Sequence, residues 1–161
     1  MAKVLLEDTR QHRDKHEAKH EWWAREGLAL VRSKIAFGDY CLPPEVAVDT
    51  KASIAELAYD IDQEHARFRR ELVGARDAGC KLYVLVENDD GVTSLSDLAG
   101  WIESQEDFAL RVQAKRRLKG DRLAKACATM ADRYGVTFLF CTPEDAARIV
   151  CELLGVEHGT D

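Results

Sequence analysis

The sequence predicts a three-layer α/β domain in which helices flank a mixed central sheet. Short apolar runs with a period of two residues alternate along the chain with longer segments whose apolar residues recur every three or four positions. Such interleaving of strands and helices is typical of layered α/β architectures. The chain also has 161 residues, 46% of them hydrophobic, which is enough for one domain with one core over residues 1–161.

The N-terminal half is predicted to contain four strands and two helices. The strands cover residues 3–8, 28–35, 37–42 and 45–50. A helix over residues 13–26 precedes Gly27, a typical stop signal. A second, long helix begins near Ile54 and ends near Gly79, with an apolar stripe at three- and four-residue spacing that packs on the sheet. His65 lies on that stripe, so we expect it to be buried.

The C-terminal half continues the same alternation. Residues 81–87 and 136–141 predict strands, and the first of these ends at Glu87, which is expected at an end of the sheet. Helices are predicted over residues 94–103, 123–134 and 143–154. Ser94 and Asp97 have the spacing of an N-terminal cap for the first of these helices.

A hairpin in the first half carries the residues with the clearest chemistry. Asp39 is predicted on its first strand, and Asp49 and Lys51 on its second strand, where a period of two sends both to the same face. Two converging carboxylates can hold a hard cation through oxygen, and a nearby lysine can act on the water that attacks. This is the minimum equipment of a metal-dependent phosphodiesterase.

The same residues resemble the XPF-type nucleases, a branch of the PD-(D/E)XK superfamily. The segment GDYCLPPEVAVDTKASIAEL is similar to that family's signature of GD, a short spacer, ERK and a trailing acid. The segment from Asp8 to Gln11 resembles its D-x-R-E motif, and Arg67-Phe68 resembles its G-R-F segment. The chain departs from the pattern in three places: Asp49 and Gln11 each replace a Glu, and Glu56 stands one residue late in place of an Asp.

This resemblance covers most of the chain and implies both a fold and an activity. The implied fold is a restriction-endonuclease-like core, here without the helix-hairpin-helix module that the family usually carries. The implied activity is Mg²⁺- or Mn²⁺-dependent DNA endonuclease cleavage of branched, flap or junction DNA, as in DNA repair or recombination. Asp39 and Asp49 would be metal ligands, Asp8 a further acid and ligand, and Lys51 the residue that orients or activates water. Supporting roles would be filled by Arg10, Gln11, Glu56 and Arg67.

A basic segment is the best candidate for contact with phosphate in a chain whose net charge is −6. Its cations are Arg111, Lys115, Arg116, Arg117, Lys119 and Arg122, with Asp121 as the only acid among them. The alternative is that these residues form a solvated helix face. We expect the cluster as a whole to bind DNA.

The spacing of the histidines and cysteines argues against a zinc site and against disulfides. His12, His16 and His20 recur at helical spacing, but no cysteine accompanies them, so we expect a solvated edge that partly faces DNA. The five cysteines are widely spaced and lie mostly in apolar segments, which predicts reduced core thiols in a cytoplasmic protein. The sequence contains no apolar run long enough to cross a membrane.

Two further functions and one assembly are consistent with these patterns. The chain could be an inactive nuclease-fold module that binds junction DNA or a protein partner, or a sequence-specific restriction-type nuclease. The resemblance also implies a homodimer, and an apolar stripe on the last helix could contribute to its interface or could cover the sheet. That stripe consists of Ala146, Ala147, Val150, Cys151 and Leu154.

Overall fold

The computed structural model describes residues 4–11, 13–33, 38–42 and 46–156, which form six strands and seven α-helices. The strands are β1 (Val4–Asp8), β2 (Ala29–Ser33), β3 (Tyr40–Leu42), β4 (Val46–Lys51), β5 (Lys81–Glu87) and β6 (Thr137–Cys141). The helices are α1 (Glu17–Arg25), α2 (Ile54–Asp62), α3 (His65–Asp77), α4 (Leu95–Ala99), α5 (Gln105–Leu110), α6 (Gly120–Tyr134) and α7 (Ala146–Leu154). A 3-10 turn, Arg13–His16, precedes α1. The predicted strands include residues 3, 34, 35, 37 and 45, which lie outside the described residues, as does His12 of the histidine row.

The strands form one mixed sheet in the order β2-β1-β3-β4-β5-β6. β3 is antiparallel to both β1 and β4, whereas β1 pairs with β2, β4 with β5 and β5 with β6 in parallel. Parallel neighbours require crossover connections, and the helices supply them. The predicted mixed sheet is confirmed.

Each face of the sheet carries its own apolar core. Alternation along β4 sends Ala47 into a core shared with α2, α3 and α6, and Val48 into a core shared with α1 and α7. β5 does the same, with Val84 on the first face and Leu85 on the second, and all four side chains are buried. Helices therefore cover both faces, and the three-layer arrangement is confirmed.

The apolar stripe of α7 is used inside this fold. Ala146, Ala147, Val150, Cys151 and Leu154 are all buried in the core that contains Trp23 and Tyr40. The indole N–H of Trp23 donates to the backbone oxygen of Ala147 at 3.0 Å, which locks α1 to α7. The stripe covers the sheet, so it is not available as the homodimer contact that its pattern could have provided.

The long helix predicted after β4 is broken into α2 and α3. The backbone N–H groups of Gln63 and Glu64 both donate to the oxygen of Tyr59, at 2.7 and 3.1 Å, so the regular ladder stops there. A new ladder begins when Phe68 N donates to Glu64 O at 3.0 Å. The break resets the helical phase, and His65 at the start of α3 is exposed, so its predicted burial is wrong.

The helix predicted over residues 94–103 is also shorter than expected. Ser94 does cap α4, because its side chain accepts from Asp97 N at 3.1 Å, but the helix ends at Ala99. Beyond it the backbone leaves the helix to pair with the residues before α6: Glu103 N donates to Leu118 O at 2.9 Å and Gly120 N to Trp101 O at 2.8 Å. This non-local pairing overrides the local helical pattern.

The cysteines for which side chains are described are free thiols. Cys127, Cys141 and Cys151 are buried in the two cores, as predicted, while Cys80 is half-buried. Burial raises the thiol pKa to about 12 for Cys127 and Cys141 and to about 11 for Cys151. Among the described residues, no helix combines the length and apolarity needed to cross a bilayer.

Candidate active site

A cavity of about 350 Å³ opens at the edge of the sheet where β1 and β4 end and β3 begins. The sequence-predicted catalytic and supporting residues all line it. Its lining consists of Asp8, Arg10, Gln11, Lys15, His16, Gly38, Asp39, Asp49, Thr50, Lys51, Ala52, Glu56, Asp60, Arg67 and Glu71. The structure therefore brings together side chains from β1, from the residues just before β3, from β4 and from α2 and α3.

Backbone pairing between the strands explains why Asp8 and Asp39 meet. Asp8 N donates to Asp39 O at 2.6 Å, and Asp39 N donates to Val48 O at 2.8 Å. Gly38 allows this close approach, because it has φ of +73° and a Cβ there would lie 2.9 Å from Val48 O. The glycine before Asp39 is thus required by the way the hairpin packs.

The Asp39 carboxylate is held from both sides. Its Oδ2 accepts from the backbone N–H of Thr50 at 2.7 Å and from the Thr50 hydroxyl at 2.9 Å, and its Oδ1 accepts from the Gln11 amide. Burial and the nearby Asp49 charge raise the Asp39 pKa well above its usual range, although the Thr50 hydrogen bonds oppose this shift. Negative charge at this position is therefore incompletely compensated by the chain itself.

Lys51 lies between two carboxylates. Its Nζ is 2.7 Å from Asp49 Oδ2 and also forms an ion pair with Asp60, and it lies 5.1 Å from the centre of the Phe68 ring. Asp49 and Lys51 share one face of β4, as predicted. Burial alone would lower the Lys51 pKa, but Asp49 and Asp60 outweigh burial and raise it. Lys51 is therefore an ammonium ion here, able to donate hydrogen bonds and unable to accept a proton.

Two acids of this cavity are not predicted by the sequence motifs. Asp60 on α2 is buried and pairs with Lys51, and Glu71 on α3 accepts from Gly38 N at 2.8 Å. Burial and the charge of Asp49 raise the Glu71 pKa. A signal did exist, because Asp60 follows Glu56, and Glu71 follows Arg67, by one helical turn of four residues, which places each pair on one face.

The predicted supporting residues have structural partners. Arg10 forms an ion pair with Asp8, and Arg67 Nη2 is 3.2 Å from Asp60. Glu56 is exposed and its Oε2 accepts from Ala52 N at 2.7 Å, beside the hydrogen bond from Glu56 N to Ser53 Oγ at 3.1 Å. Glu56 thus completes a capping arrangement at the start of α2.

The donor set suits a hard divalent cation. Asp39, Asp49 and Glu71 offer only oxygen. Burial, and after it the charge of Asp49, raises the pKa of both other acids, and a bound cation would relieve the repulsion between these charges. Among the described residues, no three His, Cys, Asp or Glu side chains form a ready-made metal cluster. Mg²⁺ commonly binds through one or two carboxylates and retains several waters, so the Asp39 and Asp49 pair fits that ion.

The structure divides the basic segment into two groups. Arg111 makes a two-pronged contact with the buried Glu103, with Nε–Oε1 at 2.6 Å and Nη2–Oε2 at 2.8 Å, and Arg117 Nε donates to the Glu103 backbone oxygen at 2.5 Å. These two arginines brace the loop before α6. The remaining cations are exposed: Lys115, Arg116, Lys119 and Arg122.

A groove runs beside these exposed cations. Arg116, Arg117, Lys119 and Arg122 line it together with the apolar side chains Ile61, Ile102, Leu118 and Leu123. We call this surface the α6 groove. Cations beside an accessible groove are suited to a polyanionic backbone.

The histidine row is not the solvated edge that its pattern predicts. His12 lies outside the described residues. His16 is buried and lines the cavity, with its Nε2 beside Gln11 Oε1, and the Nε2 of the half-buried His20 is 2.6 Å from Glu7 Oε2. His16 and His20 point into the protein because α1 packs on the sheet.

Comparison with known proteins supports the fold. No protein-family model and no curated protein sequence matches the chain. XPF from Aeropyrum pernix is structurally similar, with a TM-score of 0.63 at 16% identity over 94% of this chain and 63% of the XPF chain. The structure of XPF from Aeropyrum pernix in complex with DNA gives 0.64 at 14% identity, with the same coverage. The chain thus spans 63% of the length of these XPF chains. It has the α/β, restriction-endonuclease-like fold of an XPF-type protein, as its sequence motifs predicted.

Proposed function

We propose that this chain is a divalent-metal-dependent endodeoxyribonuclease that hydrolyses phosphodiester bonds in branched, flap or junction DNA. The observation that carries the proposal is the convergence of Asp39, Asp49 and Lys51 in one cavity at the edge of the sheet. The likeness to XPF from Aeropyrum pernix, which has been seen in complex with DNA, supports the choice of substrate.

The residues of the cavity would have different roles in this reaction. Asp39 and Asp49, with Asp8 beside them, would hold Mg²⁺ or Mn²⁺, which supplies Lewis-acid stabilisation of the charge that develops on the phosphate. Thr50 and Gln11 fix the direction of the Asp39 carboxylate. Lys51, as an ammonium ion between Asp49 and Asp60, orients the attacking water by donating to it.

The proposal extends to contacts outside the cavity. The exposed cations along the α6 groove would bind DNA phosphates, which gives affinity without base specificity. A homodimer would present two such cavities related by a two-fold axis. We place the protein in the cytoplasm, where its buried free thiols would stay reduced.

One observation favours a second candidate, a module that binds junction DNA without cutting it. Asp8 and Asp49 already have cationic partners within the chain, Arg10 and Lys51. Carboxylates neutralised in this way need no metal ion to be stable. The two candidates make opposite predictions about cleavage.

The deciding experiment incubates the protein with plasmid, flap and four-way-junction DNA, each with and without Mg²⁺. Metal-dependent cleavage of the branched substrates supports the nuclease, whereas binding without cleavage in any condition supports the binding module.

The Asp49→Asn variant tests whether this cavity is the active site. It should abolish cleavage and leave DNA binding intact or tighter, because it removes a charge that the metal needs and keeps the volume of the side chain. Asp132→Asn, at an exposed position of α6, is the control and should cut like the wild type. Ordinary turnover by Asp49→Asn in Mg²⁺ would contradict the site assignment.

A further inference from the structure

A line of polar side chains, all buried except the half-buried Gln11, leads from the end of β5 to Asp39. Lys19 on α1 and Glu87 at the end of β5 form an ion pair at 2.6 Å, and both are buried. Lys19 Nζ is 3.5 Å from His16 Nδ1, His16 Nε2 is beside Gln11 Oε1, and the Gln11 amide donates to Asp39 Oδ1. Neither Lys19 nor Glu87 lines the cavity.

The donors and acceptors along this line point in one direction. Gln11 turns its NH₂ toward Asp39 Oδ1, to which it donates, and its oxygen toward His16 Nε2. His16 Nε2 must then carry a hydrogen, and its Nδ1 can accept from the Lys19 ammonium, which has only donors. The line therefore defines both the amide orientation of Gln11 and a single neutral tautomer of His16.

Packing holds the middle of the line in place. The His16 ring meets the ring of Tyr40, the residue next to Asp39, edge-on at a centroid distance of 6.3 Å and an interplanar angle of 83°. Tyr40 is fully buried, and its ring centroid lies 4.9 Å from that of Trp23 in the core between the sheet and α7. A buried ion pair has a large desolvation cost, which the observed geometry must offset, and such pairs can serve to fix one arrangement.

We propose that His16, together with the Lys19–Glu87 ion pair, positions Asp39 through Gln11 for binding a divalent cation. They are positioning residues, because they act on Asp39 through Gln11. The inference rests on the proposed function, because it assigns the Asp39 site to a metal. Partners that orient a ligand from behind commonly contribute 10–100-fold in metal affinity, which sets the expected size of the effect at about that range.

The first test measures Mn²⁺ affinity by calorimetry without DNA, so that it is independent of cleavage. His16→Leu should weaken Mn²⁺ binding by about tenfold or more, because Gln11 loses its donor and no longer holds Asp39. His16→Gln retains an N–H donor and should recover part of that loss. The matched control is His20→Leu, one turn along α1, which removes a hydrogen bond to the buried Glu7 and should leave Mn²⁺ affinity unchanged.

The second test examines the hydrogen-bonded line itself, through the tautomer of His16 and the removal of the Lys19–Glu87 ion pair. In ¹⁵N NMR spectra of the metal-free protein, the His16 ring should be the neutral tautomer with hydrogen on Nε2. The paired variant Lys19→Met with Glu87→Gln removes the ion pair without leaving a buried charge alone, and should weaken Mn²⁺ binding in the same direction as His16→Leu. Unfolding temperatures of all variants separate loss of stability from loss of affinity.

The outcomes distinguish this inference from the proposed function. If the wild type binds Mn²⁺ and His16→Leu binds it equally well, or if His16 carries its hydrogen on Nδ1, the positioning role is overturned and the nuclease proposal stands. If His20→Leu loses as much affinity as His16→Leu, the effect belongs to the stability of α1 and the role is again overturned. A wild type that binds no Mn²⁺ would overturn both.

Discussion

At the scale of single residues, Lys51 contributes both to the stability of the fold and to the proposed cleavage reaction. Its ammonium group contacts two buried carboxylates, Asp49 and Asp60, so it compensates charge within the folded protein as well as facing the cavity. Removing one partner of a buried ion pair leaves an uncompensated charge and commonly costs about 3–5 kcal/mol. A metal ion bound by Asp49 could replace part of the lost positive charge.

We therefore predict that Lys51→Ala loses most of the cleavage rate and retains metal binding. Without metal its free energy of unfolding should fall by about 3 kcal/mol, since Asp49 and Asp60 lose their shared cation. Mn²⁺ should raise the unfolding temperature of the variant by more than it raises that of the wild type. Thermal unfolding with and without Mn²⁺, and single-turnover cleavage, measure these effects.

The control for this prediction is Lys125→Ala, which removes an exposed lysine on α6. It should change neither the unfolding temperature nor the rate. A Lys51→Ala protein that lost its metal affinity and kept its rate would show that the lysine serves the cation and not the water.

At the scale of elements, the start of α6 depends on one glycine. A Cβ on Gly120 would lie 1.7 Å from the backbone oxygen of Leu98, at the contact between α4 and α6. Backbone cannot give way as a flexible side chain can, so the two helices would have to separate. Gly120 also follows Lys119 in the α6 groove, and its packing holds that surface against α4.

Gly120→Ala should therefore lower the free energy of unfolding by about 2 kcal/mol or more, as overpacking of a close contact does. Gly100→Ala is the matched control, since a Cβ there would meet its nearest atom, Asp97 O, at an ordinary 3.7 Å. Denaturant unfolding measures both variants. If Gly120→Ala were as stable as Gly100→Ala, α4 and α6 would separate without any loss in the free energy of unfolding.

The exposed cations of the α6 groove should contribute to the affinity for DNA and not to the cleavage step. Changing Arg116, Lys119 and Arg122 to Glu is expected to weaken DNA binding and to flatten the slope of log affinity against log salt, because each phosphate contact releases counterions. The control changes Arg25, Arg76 and Arg133 to Glu, which alters net charge equally at exposed positions outside the groove. An identical slope for both triple variants would show that the groove is only a solvated face.

Local patterns predicted the strands better than the helices. The alternation in β4 correctly placed Asp49 and Lys51 on one face, because side-chain direction in a strand follows from position alone. The break between α2 and α3 was missed, since the hydrogen bonds of Gln63 and Glu64 to Tyr59 leave no mark in the apolar spacing. That break sets the phase of α3 and hence brings Glu71 to Gly38.

At the scale of the whole molecule, the site exists only because of the order of the strands. Asp8 lies far in sequence from the hairpin that carries Asp39 and Asp49, and it meets them because β3 lies between β1 and β4. Periodicity cannot give this order, whereas the resemblance of the motifs to XPF-type nucleases implied that the three acids share one site. The buried line through Lys19 and His16 was beyond either approach, because a helical row of histidines is usually solvated.

Assembly is the remaining property at this scale. The α7 stripe is buried in the core, so a dimer must use another surface, and the exposed apolar side chains Ile102, Leu110 and Val112, near the basic segment, are available for one. A single chain of 18.1 kDa presents little surface to a branched substrate, and a two-fold pair would double it. We therefore expect light scattering at micromolar concentration to give twice the mass of one chain, and the same protein mass on a four-way junction. A monomer mass in both conditions would rule out the homodimer, and one cavity would then have to cut each strand in turn.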